Sequence, residues 1–240
     1  MRIYTMKIIL PLLFFLLSSS GVLHSCKRTL PEPPPVVPVI GAAIKYLALG
    51  DSYTIGQSVS EQQRFPYYAV QLLRAEGIRM EDPSYIATTG WTTGNLLSAI
   101  NNSSLLKYDL VSLLIGVNDQ YQGVDTAVYR QRFVQLLGKA KALVSGRPER
   151  VVVLSIPDYS ATPFVTADEK PVVSKEIDFF NAINKEETLR QGIQYIDITP
   201  STRMAASDPT LLAPDNLHYS GKEHEKWARL LSSTIKTTLQ

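Results

Sequence analysis

From residue 44 onward, short apolar runs alternate with longer stretches in which apolar residues recur every three or four positions. The first pattern predicts buried strands and the second amphipathic helices. Strands are expected at 44–50, 84–90, 109–116, 150–157 and 193–198, and helices at 66–77, 94–102, 125–144, 174–192 and 220–239. The boundaries carry their own chemistry. Pro66 suits a first helical turn and Gly77 a helical stop, while Asp125 is a plausible cap for its helix. Ser174 and Gly192 bracket the next helix, and Trp227, Leu230, Leu231 and Ile235 form the apolar stripe of the last. Strands alternating with helices imply a sheet covered on both faces. The expectation is an α/β fold, flavodoxin-like three-layer α/β/α with a five-stranded, mainly parallel sheet. In such open sheets ligands bind beyond the carboxyl ends of the strands.

The first residues follow a different pattern. Arg2 and Lys7 precede an uncharged apolar run at 8–17, which is too short for an ordinary membrane-spanning helix and has the organisation of an export signal. Leu23, Ser25 and the lone Cys26 then resemble a bacterial lipobox, in which the cysteine is lipidated and becomes the mature N-terminus. An ordinary signal peptide with an incidental cysteine is the alternative. The Pro-rich stretch at 27–41 favours an extended spacer. The organisation expected is a lipoprotein signal peptide at 1–25, a lipidated Cys26 with a Pro-rich tether at 26–42, and one folded domain at 43–240. The localisation expected is that of an exported bacterial lipoprotein, anchored to a membrane in the periplasm or at the cell surface.

Composition narrows the chemistry. The chain has 240 residues, 45% of them hydrophobic and 19% charged, which is globular usage. Its formal charge is +2, and Arg2 and Lys7 account for that excess. A balanced folded part argues against nucleic acid as a partner. With a single cysteine, no intramolecular disulfide can form. No Walker loop and no Gly-x-Gly-x-x-Gly opens a helix, so no nucleotide cofactor is implied.

The candidate chemistry stands at the ends of the expected strands. Gly50-Asp51-Ser52 follows the first, Gly90 in "TTGWTTGNL" the second, and "GVND" with Asn118 the third. Pro157 and Asp158 follow the fourth, and "APDNLHYSGKEHEKWA" with Asp215 and His218 lies beyond the fifth. A serine hydroxyl needs a base as it attacks, imidazole can serve near neutral pH, and a carboxylate can orient the imidazole. Backbone N–H groups and an Asn amide suit a developing oxyanion. The chain has three histidines. His24 lies in the leader and His224 inside the last helix, where packing or surface exposure is the simple reading. That leaves His218 in a loop. Asp51 and Asp119 are expected to tie backbone N–H groups rather than to do chemistry. A metal site at Asp215 and His218 lacks further ligands.

These blocks, in this order, resemble the SGNH hydrolases, also called the GDSL esterase/lipase family, over 44–231. The resemblance implies Ser52 as nucleophile, His218 as base and Asp215 as its orienting acid. It also implies an oxyanion hole from the backbone of Ser52 and Gly90 and the side chain of Asn118. The Asn that usually precedes the glycine of the second block is absent here, and Gly94 competes with Gly90. The family hydrolyses carboxylic esters, including lysophospholipids, aryl esters, thioesters and acetylated sugars, and the implied chemistry needs no cofactor. Aromatics follow the functional residues: Tyr53, Trp91, Tyr121, Tyr159 and Tyr219. Facing the cleft, they would form a rim for stacking on a sugar or lining a short acyl slot. Short acyl esters of carbohydrates are therefore the expected substrates. Alternatives are a lysophospholipase or aryl esterase, a thioesterase, and a catalytically silent lipid-anchored binding protein.

Overall fold

The centre of the sheet is built from runs that bury every side chain on both faces, as covered parallel strands do. β1 (Tyr46–Gly50, YLALG), β3 (Leu110–Leu114, LVSLL) and β4 (Val151–Leu154, VVVL) are buried throughout, whereas β2 (Ser84–Ala87) and β5 (Gln194–Ile196) are partly exposed. In this computed structural model the described residues are 42–239. The expected leader, Cys26 and the Pro-rich stretch at 27–41 lie outside them.

The strands run in the order β2-β1-β3-β4-β5, and every neighbouring pair is parallel. This is the flavodoxin-like order, and the expected α/β architecture is the one observed. The helices are α1 (Ser52–Ile55), α2 (Phe65–Ala75), α3 (Thr93–Asn101), α4 (Val117–Tyr121), α5 (Thr126–Leu143), α6 (Lys170–Arg190), α7 (Thr199–Arg203) and α8 (Gly221–Leu239). The chain leaves β1 outward to β2, then reverses through α3 to β3. Right-handed crossovers therefore place α2 and α3 on opposite faces. Accordingly α2 packs against α8, while α3, α5 and α6 contact one another in series. The reversal lies between β1 and β3, where such sheets open a crevice at their carboxyl ends. Gly50 pairs in register with both Ala87 and Leu114, so the ends of β1, β2 and β3 are level.

Several boundaries differ from expectation. α6 starts at Lys170, four residues before Ser174, with Pro171 in its first turn. Pro there removes only an N–H that has no helical partner. The expected strand at 84–90 stops at Ala87, because Thr88–Trp91 closes a turn through the Trp91 N–H and the Thr88 carbonyl. Asp125 does cap α5, accepting from the N–H groups of Ala127 and Val128.

His224 is a packing residue with a polar task. It is buried in α8 between Phe65 and Trp227, with ring centroids at 6.1 and 4.6 Å. Its Nδ1 accepts the Phe65 N–H at 3.3 Å, in the first turn of α2, where N–H groups lack helical partners. Burial first, then the nearby His218 and Arg64, push its pKa down from 6.5 to about 3. The folded protein thus keeps a neutral imidazole between those values, while the unfolded chain takes up a proton. Stability is complete above the unfolded value and falls with acidification, by about 1.4 kcal/mol per pH unit for one proton. Urea unfolding at pH about 7 and about 5 should differ by about 2 kcal/mol from this group alone. Buried Asp51, whose carboxyl is held up to about 8, contributes in the opposite sense over this window. The test is therefore the change in this difference between wild type and His224→Gln, which should be about that amount. An unchanged pH slope in His224→Gln would overturn this role of the imidazole.

Candidate active site

The turn after β1 is forced by close packing. A Cβ on Gly50 would lie 2.1 Å from Thr54 Oγ1 and 2.3 Å from the Leu114 carbonyl oxygen. Asp51 follows as the cap of α1, its Oδ1 accepting the Tyr53 N–H at 3.0 Å. Ser52 is therefore the first residue of a helical turn at the end of β1, and its N–H has no preceding helical carbonyl. The other oxygen of Asp51 is buried without a hydrogen-bond partner. Burial first, with the neighbouring Asp119 adding repulsion, pushes this carboxyl up to about 8. Asp51 is thus a support of the turn, as its sequence position suggested.

The turn after β3 is fixed in the same way. Gly116 has φ 129°, and a Cβ there would lie 2.3 Å from the Tyr129 hydroxyl. Only glycine accommodates both conditions. α4 begins immediately after it, bringing Asn118 to the crevice. Asn118 Nδ2 donates to the Trp91 carbonyl at 2.9 Å, which orients the amide and leaves its second N–H for the crevice. Asp119 accepts from both the N–H and the hydroxyl of Thr93, at 2.8 and 2.6 Å. Two adjacent side chains thus lock the 88–93 segment to α4.

Asp215 and His218 sit on a hairpin that precedes α8. Ala213 N–H donates to the His218 carbonyl and Ser220 N–H to the Leu211 carbonyl, both at 2.8 Å. Between them, Asp215 Oδ1 accepts the N–H groups of Leu217 and His218 at 3.0 and 2.9 Å. Its Oδ2 lies 2.7 Å from His218 Nδ1 and accepts the Ser58 hydroxyl at 2.5 Å. Burial alone would raise the Asp215 carboxyl. The bonds from Ser58, the two backbone groups and the imidazole outweigh it and hold the group well below the usual carboxylate range. An ionised carboxylate only accepts, so Nδ1 carries the proton and Nε2 is the basic nitrogen.

Ser52, Asn118 and His218 line one cavity of about 140 Å³, together with Tyr53, Tyr121, Tyr159, Val117, Phe164 and Leu217. Among the described residues no hydrogen bond reaches the Ser52 hydroxyl, and in unliganded enzymes such contacts often form only with substrate. The expected aromatics divide. Tyr121, Tyr159 and Phe164 form a cluster with centroids 6.2–6.3 Å apart, in which Tyr121 and Phe164 are exposed at 61% and 51%. Tyr159 is pinned by its hydroxyl, which donates to Gln120 at 2.9 Å. Tyr53 is buried, with its ring edge-on to His218 at 5.6 Å.

The cavity does not include the other expected rim residues. Trp91 is half-buried against the core and contributes its carbonyl to Asn118 instead. Tyr219 is fully buried, its hydroxyl donating to the Asp158 carbonyl. Gly90 is exposed at the third position of the Thr88–Trp91 turn, with φ 83°, and Gly94 lies within α3. Neither glycine lines the cavity. Ser58, Val117, Phe164 and Leu217 were not singled out by the sequence. Val117 and Leu217 adjoin Asn118 and His218 in the chain, whereas no periodicity marks loop residues such as Ser58 and Phe164 that reach the site from a distant turn.

The arrangement offers a hydroxyl at a strand end, an imidazole with a fixed tautomer, and an oriented amide, all facing one small cavity. Residues 48–226 match the family model of the GDSL-like lipase/acylhydrolases. None of the curated proteins compared matches the chain. Among solved structures, an acetylxylan esterase from Geobacillus stearothermophilus is similar at 22% identity and TM-score 0.62, over 82% of this chain and 95% of that one. A lipase/acylhydrolase from Enterococcus faecalis is similar at 21% identity and TM-score 0.61, over 81% and 96%. A member of the lipolytic G-D-S-L family from Veillonella parvula is similar at 17% and TM-score 0.59, over 81% and 99%. At these identities the likeness speaks for the shared fold. The chain belongs to the GDSL-like lipase/acylhydrolase family, and through it to the carboxylic ester hydrolases.

Proposed function

We propose that this protein hydrolyses short acyl esters, of the acetyl class, carried on carbohydrates. The observation that carries the reading is the cavity of about 140 Å³ shared by Ser52, Asn118 and His218, with an exposed Tyr121–Phe164 pair among its lining residues. Its volume is close to that of a cavity which holds one benzene molecule, roughly 150 Å³. An acetyl or butyryl group fits within such a space, whereas a long acyl chain would have to extend out of it. Aromatic faces at the cavity suit the apolar face of a sugar ring better than a mobile lipid tail. The similar fold of an acetylxylan esterase is consistent with this choice.

In this reading the Ser52 hydroxyl attacks the ester carbonyl carbon and passes its proton to His218 Nε2. The carbonyl oxygen takes up the negative charge, and the free N–H of Asn118 and backbone N–H groups at the Ser52 turn bind it. Collapse of the tetrahedral intermediate breaks the bond to the alcohol oxygen, which receives the proton from His218. Water then enters, gives a proton to His218 and attacks the acyl-serine. Collapse of this second intermediate frees the carboxylic acid and returns the proton to Ser52. Asp215 keeps the imidazole in one tautomer and stabilises its protonated form.

A series of p-nitrophenyl esters from acetyl to dodecanoyl, set beside acetylated xylo-oligosaccharides, tests the substrate class. From butyryl to octanoyl, kcat/KM should fall by about 10-fold or more. A preference for octanoyl or dodecanoyl esters would favour the lipid-ester alternative.

A further inference from the structure

We propose that Ser58 is a positioning residue of the site: its hydroxyl holds Asp215 in place, and through it keeps His218 aimed at Ser52. The inference rests on the triad reading above. The Ser58 hydroxyl donates to Asp215 Oδ2 at 2.5 Å, and that same oxygen holds His218 Nδ1. Oδ1 is already occupied by two backbone N–H groups. Among the described residues Ser58 is therefore the side chain that, besides His218, decides where Oδ2 sits.

The backbone supports the same role. Ser58 is the third residue of a turn closed by the Val59 N–H and the Gly56 carbonyl, and its φ is 66°. Glycine or asparagine is the inexpensive choice at such a position, and serine there carries strain. Such strain is kept where the side chain has a use, and the use visible here is the bond to Asp215. The loop is also well placed for it. It leaves α1 directly, since the Gln57 N–H donates to the Ser52 carbonyl at 2.9 Å. Its other neighbour, the Gln57 side chain, accepts the Thr89 hydroxyl at 2.7 Å. One short loop thus links the Ser52 turn, the 88–91 turn and the Asp215–His218 hairpin, with 157 positions between Ser58 and Asp215.

Ser58→Gly separates the hydroxyl from the fold, because it removes the hydroxyl and relieves the strain together. The measurements are kcat and KM on p-nitrophenyl acetate and the urea unfolding midpoint, in the wild-type and Asp215→Ala backgrounds, with His218→Ala alongside. Expected is a fall of about 10-fold to 100-fold in kcat, with KM unchanged and the unfolding midpoint equal or higher. In the Asp215→Ala background the same substitution should cost nothing more, since the two residues act as one unit. Wild-type kcat in Ser58→Gly overturns the proposal while the triad stands. An equal loss in both backgrounds also overturns it, because Ser58 would then act by another route. Full activity of folded His218→Ala overturns the triad and the proposal with it.

Discussion

Replacing Ser52 with alanine is expected to lower kcat by about 10⁴-fold to 10⁶-fold, the scale seen when a hydroxyl nucleophile is removed from a working triad. The fold should not notice. Among the described residues Ser52 Oγ takes part in no hydrogen bond, and it faces the cavity rather than the core, so its loss leaves neither an orphaned partner nor a new internal void. The strand-to-helix turn is held instead by Gly50, by the Asp51 cap and by packing against β3. The check is a pair of measurements on one preparation: ester turnover and the thermal unfolding midpoint. A serine-directed phosphonate should label wild type and not the variant. Turnover at the wild-type rate in a folded Ser52→Ala protein would remove Ser52 from the chemistry.

Asn118→Ala is the second large effect, a loss of about 10²-fold to 10³-fold in kcat. The amide has two N–H groups. One is committed to the Trp91 carbonyl at 2.9 Å, and this fixes the direction of the other. An oriented donor in a site of low dielectric stabilises the oxyanion more than the neutral carbonyl, so the loss should fall on kcat and leave KM nearly unchanged. Truncation also leaves the Trp91 carbonyl without its donor. That should lower stability by about 1 kcal/mol, far less than the catalytic loss. Asn118→Asp should be no better than alanine, because a carboxylate would repel both the Trp91 carbonyl and the oxyanion. A rise in KM at constant kcat would instead make Asn118 a ground-state binding group.

Much of this site was legible because it lies where the pattern changes. Ser52 and Asn118 each follow a mostly apolar run, and His218 is the histidine left when the leader and the last helix are set aside. The fold was legible for a similar reason: β1, β3 and β4 are buried on both faces and read as apolar runs, interrupted in β3 by Ser112. What failed to show was local geometry. α1, α4 and α7 span four or five residues, too few for a helical period to appear. Tyr121 and Tyr219 each follow a candidate site residue by a short interval, yet one is 61% exposed and the other fully buried. Their fates depend on whether the next backbone segment turns toward α8 or toward solvent, which composition does not encode. Phe164 and Ser58 reach the site from loops, and a loop residue's partner is set by tertiary contact rather than by spacing.

The hairpin ahead of α8 has a consequence in time. Ser52 follows the first strand of the domain, while Asp215 and His218 precede the last helix, which packs against α2. A ribosome adding about 5–20 residues per second makes Ser52 many seconds before Asp215 and His218. Throughout that interval, on the proposed reading, the serine is an ordinary alcohol. Esterase activity should switch on in one step as the C-terminal helix docks, and a nascent chain arrested before residue 213 should carry none.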